Sequence, residues 1–282
     1  MRSYSVGLDV HRRSWFVTVI RTGAVIVHSS IPPLAKDFES VLRRLGLDPT
    51  EGRVVYEVGS EGFYPSRALA PIGIEVLPLA PSRLPPLPAK SKSDRRDSRA
   101  LAELGESGLL DSGRLRPVHV PTLEEEAIRE IMRARGLFVR RRSGFITSIK
   151  SRLGRLGIDY GNRRFCPAFK IWLKTQTMPD GFRIVIDSLF DSIEDVTKRI
   201  RVLEKECATH LAGSARDRAT LYRTSPAIGP ITASVIATEL GDLARFPSPE
   251  TLTAFVGLCP SERSSGETER KGGIGLAVEF LD

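Results

Sequence analysis

The first hundred residues run through hydrophobic segments in an order that limits the possible folds more than any other feature of the chain. Tyr4 to Val10 and Trp15 to Ile20 are rich in β-branched and aromatic residues. After a Thr22-Gly23 turn, Ala24-Val25-Ile26-Val27 continues in the same way, so residues 4–31 read as three strands. From Ala35 to Gly46, the residues Phe38, Val41, Leu42 and Leu45 fall at helical spacing, and Gly46 suits the helix end. Val54-Val55-Tyr56 is a short buried strand, Ser60 to Ile72 a helix, and Ile74 to Leu77 a further strand. Pro78, Pro81, Pro85, Pro86 and Pro88 then break regular structure before a helix from Asp94 to Leu104. Three strands, a helix, a strand, a helix, a strand and a helix make a layered α/β fold.

That order is also the element order of RNase H-like domains. The chain changes character at Thr122, where Thr122-Leu123-Glu124-Glu125 has the spacing of a capping box and a long helical stretch follows. Phe182, Ile186, Leu189, Ile193, Val196, Ile200, Leu203 and Cys207 then alternate steps of four and three. This heptad seam predicts a coiled coil, either between two copies or as a helix pair within one chain. From about Ser214 the sequence is compact and punctuated, with Pro226-Ala227-Ile228-Gly229-Pro230 between two helical patterns. Ser248-Pro249 reads as an N-cap followed by a first-turn proline, and Gly257 would close that helix. The expected organisation is an α/β domain over 1–118, a helical, coiled-coil region over 119–213 and a small, mostly α domain over 214–282.

Charge narrows the partner. Lys+Arg 42 against Asp+Glu 34 gives a net charge of +8 and a pI near 9.7, which favours a polyanion. Arg129, Arg133, Arg135, Arg140, Arg141, Arg142, Lys150, Arg152 and Arg155 share one helical stretch in which Glu130 is the acid. Such a stripe suits a phosphate backbone, DNA or RNA, although a solvated helix face has similar composition. Cys166, Cys207 and Cys259 lie far apart without a C-x-x-C pair, which fits neither a zinc site nor a disulfide framework. No apolar run approaches the roughly 20 residues of a membrane span, so a cytoplasmic, nucleoid-associated protein is expected.

Three further features could carry chemistry. Asp9 interrupts the apolar strand Val6-Gly7-Leu8-Asp9-Val10, and Glu57 ends Val54-Val55-Tyr56-Glu57, both costly positions for a carboxylate without a partner. Asp94 and Asp97 lie three apart at a helix start and so share a face. Carboxylates converging from strand ends and a helix terminus could hold a pair of Mg²⁺ ions for phosphoryl transfer, or each could be a solvated or helix-dipole residue. Gly229 opens a helix whose backbone N–H groups could hold a phosphate, as in a helix-hairpin-helix, or it is an ordinary turn. Ser264 and Ser265 stand in a polar run with Arg263, Arg270 and Lys271. By composition that run is a surface loop, although a serine there could attack a phosphodiester.

Gly7-Leu8-Asp9-Val10-His11, Tyr56-Glu57 and Lys92-Ser93-Asp94-Arg95-Arg96-Asp97 with Ala100-Leu101-Ala102 resemble the amino-terminal blocks of the insertion sequence 110 family of DEDD transposases. Ile228 to Ala233, Glu239 to Asp242, Arg245 to Ser248 and Gly257 to Glu262 through Ser264-Ser265-Gly266 resemble that family's carboxy-terminal transposase domain in order and spacing. The resemblance implies an RNase H-like fold similar to Holliday junction resolvases, with Asp9, Glu57, Asp94 and Asp97 binding Mg²⁺. It also implies that Ser265, with Ser264 as the alternative, forms a covalent link to DNA. The seam would be the family's coiled coil, supporting a homo-oligomer, and the arginine stripe would meet a structured guide RNA as well as DNA. The implied activity is cutting and rejoining of DNA by an insertion element; the alternatives are a metal-dependent junction nuclease or an inactive product that only binds nucleic acid. One departure stands out. In similar relatives a Thr-Lys-x-Gly-Asn block follows the Lys-Gly stretch, whereas here Lys271-Gly272-Gly273-Ile274 leads to Asp282, which resembles a frameshifted or truncated copy.

Overall fold

The computed structural model of the chain describes residues 2–84, 93–161, 165–258, 260–262 and 271–274. It divides into two compact units, 1–121 and 122–282.

In the first unit the three amino-terminal strands form as their composition predicts: β1 (Tyr4–Val10), β2 (Trp15–Arg21) and β3 (Ala24–Ile31). They are joined by tight hairpins, the second at Thr22-Gly23, where both residues take positive φ. The amphipathic helix α1 (Ala35–Arg44) follows, then β4 (Gly52–Glu57), the short helix α2 (Tyr64–Leu69), β5 (Glu75–Leu79) and α3 (Asp94–Glu106). The helix expected from Ser60 starts instead at Tyr64, and Ala70–Ile72 is a single 3-10 turn where Pro71 ends the α-helical pattern. The sheet order is β3-β2-β1-β4-β5. β1, β2 and β3 pair antiparallel, whereas β1–β4 and β4–β5 are parallel. A mixed sheet of this order, fed by this succession of helices, is the RNase H-like fold.

Strand alternation sorts the two faces. Val6, Leu8, Val54 and Tyr56 enter a core with Phe38, Val41 and Leu42 of α1 and Leu69 of α2. Val55 and Leu79 enter a second core with Leu101 of α3 and Leu115. α3 lies unusually close to the sheet. A Cβ added at Gly7 would overlap the Ser98 carbonyl oxygen and the Ala102 nitrogen, and one at Gly105 would overlap Ser5 Oγ. The missing side chains let the helix rest almost on the strand backbone. A buried hydrogen bond of 2.7 Å between Thr18 Oγ1 and Ser98 Oγ fixes α3 across β2 as well.

The second unit is mostly helical. α4 (Leu123–Arg155) opens on the expected capping box, Thr122 with Glu125, and α6 (Asp180–His210) carries the heptad seam. Ile186, Ile193, Val196, Ile200 and Cys207 of the seam are buried. α4 and α6 pack along one another, with Ile149 and Leu153 meeting Ile186, Phe190 and Ile193. The seam is thus satisfied within the chain, as a helical pair. α5 (Pro167–Lys174) adds Phe169 and Leu173 to that core. α7 (Gly213–Tyr222) and α8 (Pro230–Leu240) approach through Ala215, Ala219, Ala233 and Ala237, joined by Ile128, Met132 and Cys207. α9 (Pro249–Phe255) is capped by Ser248 as expected, and Gly257 follows it in the left-handed region. β6 (Pro260–Glu262) and β7 (Lys271–Ile274) form an antiparallel pair. Among the described residues no helix is long and apolar enough to cross a membrane.

Candidate metal centre

The same alternation that builds the core sets the site. Ser5, Gly7 and Asp9 of β1 and Arg53, Val55 and Glu57 of β4 fall on the face covered by α3. β1 and β4 run parallel, with Leu8 opposite Tyr56 as their last registered pair. Asp9 and Glu57 are therefore the next residues at the carboxyl ends of two adjacent central strands. The register of α3 does the rest: Ser98 and Ala102 seat on Gly7, so the first turn, with Asp94 and Asp97, is carried to the end of β1. At the far end of the helix Arg53, buried in the sheet, anchors it. Its guanidinium donates to the Gly105 carbonyl at 3.3 Å and to both Asp111 oxygens at 3.1 and 2.7 Å.

Three side chains meet closely. One ligand atom each of Asp9, His11 and Asp94 lies within 4.8 Å of the others. His11 Nε2 is 3.3 Å from Asp9 Oδ2 and 3.7 Å from Asp94 Oδ1. Burial pushes the Asp9 carboxyl above its ordinary pKa, the negative charges of Asp94 and Asp97 push in the same direction, and His11 opposes them. Glu57 stands exposed at its strand end, and neither it nor Asp97 belongs to the close group. Of the four carboxylates expected from the sequence, Asp9 and Asp94 are thus in ligand contact range, Asp97 acts on them from the same helical turn, and Glu57 occupies the adjoining strand end. His11, the last residue of the Gly7-to-His11 motif, joins the close group although the motif does not mark it as a ligand. It lies just past the end of β1, in the turn to β2, and its nearness to Asp9 in the chain was the available signal.

The donor set fits a divalent cation. It gathers carboxylate oxygens and one imidazole at the rim of a sheet, and the half-buried Asp9 carboxylate is disfavoured by its acidic neighbours unless a positive charge joins them.

The arginine stripe divides once folded. Arg129 is buried, and its Nε donates to the Thr238 carbonyl at 2.9 Å. Arg133 pairs with Glu239 at 3.3 Å and Arg135 with Glu204 at 2.9 Å. Lys150 lies over the Tyr160 and Phe165 rings, Arg155 over Phe182, and Arg152 donates to the Ser148 carbonyl. Arg140 and Arg141 remain exposed and Arg142 half-exposed. Gly229 is the N-cap of α8, with open space where a side chain would be. Ser264 and Ser265 lie outside the described residues.

Known proteins resemble the chain in both units. Residues 6–157 match the IS110 DEDD model, described as a transposase, and residues 219–276 match the model of the IS116/IS110/IS902 transposase family. A putative transposase of Sinorhizobium fredii is 32% identical over 97% of this chain and 67% of its own length. A probable family 20 transposase of Pseudomonas aeruginosa is 28% identical over 78% of this chain and 65% of its own. The transposase of insertion sequence element IS1111A from Coxiella burnetii is 25% identical over 79% and 60%. The chain thus spans about two thirds of the length of the curated relatives it matches. Among solved structures, Thermus thermophilus RuvC in complex with a Holliday junction substrate superposes with a TM-score of 0.29 at 12% identity, over 41% of this chain and 99% of that one. The assignment of the fold rests on strand order and register rather than on that partial superposition. With the IS110 DEDD transposase model covering more than half of its length, the chain belongs to the IS110 family of transposases.

Proposed function

We propose that the chain is the DNA-cutting and rejoining enzyme of an insertion element, with Asp9, Glu57, Asp94 and Asp97 holding the divalent cations, Mg²⁺ or a close analogue, that its first unit requires. The observation that carries this reading is the meeting of Asp9 and Asp94 with His11 at the carboxyl edge of an RNase H-like sheet. A cation held there supplies positive charge to the phosphoryl oxygens as a strand is cut. The protein's own part is positional. The α3–β1 contact fixes the spacing of the carboxylates, and Glu57 and Asp97 flank the Asp9–Asp94 pair on the side of the adjoining strand and the helix turn.

Ser265 is the proposed covalent nucleophile, supported by the family resemblance around Ser264-Ser265-Gly266. Its Oγ bonds to phosphorus as the bond to the departing deoxyribose oxygen breaks. The serine proton is given up and the leaving oxygen gains one, so the phosphodiester energy is kept for rejoining and no oxidant or nucleotide is consumed. Arg140, Arg141, Arg142, Lys150 and Arg152 supply the basic helix for the backbone of DNA and of a guide RNA from the element. Gly229 presents the start of α8 to a phosphate, the working form is a homo-oligomer, and its place is the cytoplasm, on the nucleoid.

The test is cleavage of DNA carrying an element end, assayed with and without Mg²⁺ or Mn²⁺. The expected result is metal-dependent cleavage lost in Asp9→Asn and Asp94→Asn, with a protein–DNA adduct lost in Ser265→Ala. Metal-dependent cleavage without an adduct would favour a junction nuclease, and binding without cleavage under any metal would refute the enzymatic reading.

A further inference from the structure

We infer that His11 is itself a metal ligand, so that the centre is a mixed nitrogen–oxygen site that favours first-row transition cations such as Mn²⁺ or Co²⁺ over Mg²⁺. This rests on the proposed metal centre and specifies its chemistry.

The geometry is that of a shared coordination sphere. Two ligand atoms each about 2.1 Å from one ion stand roughly 3.0–3.5 Å apart at octahedral-cis or tetrahedral angles. His11 Nε2 lies 3.3 Å from one Asp9 oxygen and 3.7 Å from one Asp94 oxygen, close to that spacing on both sides. The three groups come from two chain segments, the β1 end and the α3 start.

His11 is also held where it is. Its backbone N–H donates to the Ser14 carbonyl at 3.0 Å, closing the four-residue turn between β1 and β2. Registered strands continue on both sides of that turn, with Val10 opposite Trp15. The imidazole side chain is half exposed, so it has no packing duty that would explain its orientation toward two carboxylates.

The ligand chemistry then selects the ion. Mg²⁺ is a hard cation that takes oxygen and keeps much of its water, whereas imidazole nitrogen binds later first-row cations more strongly. A site made only of Asp9, Glu57, Asp94 and Asp97 would favour Mg²⁺ or Mn²⁺ with little distinction; nitrogen from His11 tilts it toward the transition ion.

The experiment uses the full chain with Mn²⁺ as the probe. Electron spin-echo spectroscopy reads nitrogen coupling to bound Mn²⁺, and titration calorimetry gives Mn²⁺ and Mg²⁺ affinities for the unaltered chain, His11→Ala, His11→Gln and Asp9→Asn. The expected result is a nitrogen signal in the unaltered chain that disappears in both His11 variants. Mn²⁺ binding should weaken by about tenfold or more, with Mg²⁺ affinity changing much less. Bound Mn²⁺ that Asp9→Asn removes, but with no nitrogen signal and full affinity in His11→Ala, would overturn the inference and leave the carboxylate site intact. Cation binding that Asp9→Asn does not alter would overturn the metal centre itself, and the inference with it. Retained circular dichroism and a retained unfolding midpoint in His11→Gln separate loss of a ligand from loss of fold.

Discussion

Replacing Gly7 with alanine adds one methyl group where helix α3 meets strand β1, and the cost can be worked from the atoms it would strike. The new Cβ would overlap the carbonyl oxygen of Ser98 and the nitrogen of Ala102. Both are helix backbone atoms and cannot rotate away as a side chain can. The helix must retreat or the strand must bend, and forced overpacking of this kind costs about 1–3 kcal/mol. Retreat also breaks the buried 2.7 Å bond between Thr18 and Ser98, leaving polar groups unsatisfied for roughly another 1–3 kcal/mol. Against this, alanine restricts the unfolded chain and returns at most about 1 kcal/mol. The net expectation is a loss of about 1–6 kcal/mol. Gly59→Ala is the control: nothing lies within 4 Å of its added Cβ, and its effect should stay within about 0.5 kcal/mol. Urea unfolding followed by tryptophan fluorescence measures both. Trp15 is buried in the first unit, and a Trp172→Phe background leaves it as the sole reporter. Because Asp94 and Asp97 ride on α3, the Gly7 variant should also bind Mn²⁺ more weakly. A Gly7→Ala cost below about 1 kcal/mol, indistinguishable from the Gly59 control, would refute the close-approach argument.

Arg53→Met should destabilise the first unit by roughly 1.5–3 kcal/mol at pH 7, read as a shifted urea midpoint, because charged hydrogen bonds to Asp111 and Gly105 are lost. Asp111 is held below its ordinary pKa by Arg53, so this contribution is present above about pH 4 and fades as pH falls further; the gap in midpoint between variant and parent at pH 7 should therefore narrow at pH 3. Asp9→Asn should abolish cation binding yet raise the unfolding midpoint of the metal-free protein, since it removes a half-buried charge facing Asp94 and Asp97. Arg129→Ala should cost about 1.5–3 kcal/mol, because its buried hydrogen bond to the Thr238 carbonyl is lost while Glu239 keeps Arg133. By contrast, Arg141→Ala should leave stability within about 0.5 kcal/mol and lower the slope of log affinity against log salt for DNA by about one, measured by fluorescence anisotropy.

The first unit was largely legible because its signals are local. β-branched runs at 4–10 and 15–20 became β1 and β2, and the helical spacing from Ala35 became α1. The Thr122 and Ser248 caps appear where their motifs stand. What stayed hidden depends on distant partners. The pairing of Arg133 with Glu239 joins residues 106 positions apart, so a stripe that reads as continuously basic is partly consumed by ion pairs on folding. The seam on α6 could not reveal its partner, because apolar heptads look alike whether they meet another copy or α4 of the same chain. At the site, the sequence placed Asp9 within a strand and Glu57 at a strand end, and it took the parallel register of β1 and β4 to set them side by side. The part of His11 needed the turn to Ser14 and the seating of α3 on Gly7, and glycine gives no sequence sign of which backbone will press against it.

Carboxylates at the carboxyl ends of β1 and β4 and at the start of α3 are proposed to hold the catalytic cation. Diffraction from crystals grown with Mn²⁺, recorded at a wavelength where manganese scatters anomalously, tests this most directly. The expected result is an anomalous peak within about 2.5 Å of carboxylate oxygens of both Asp9 and Asp94, with His11 Nε2 among its ligands and Glu57 and Asp97 turned toward it. A map with no peak at Asp9, or with manganese only on other carboxylates of the surface, would contradict it.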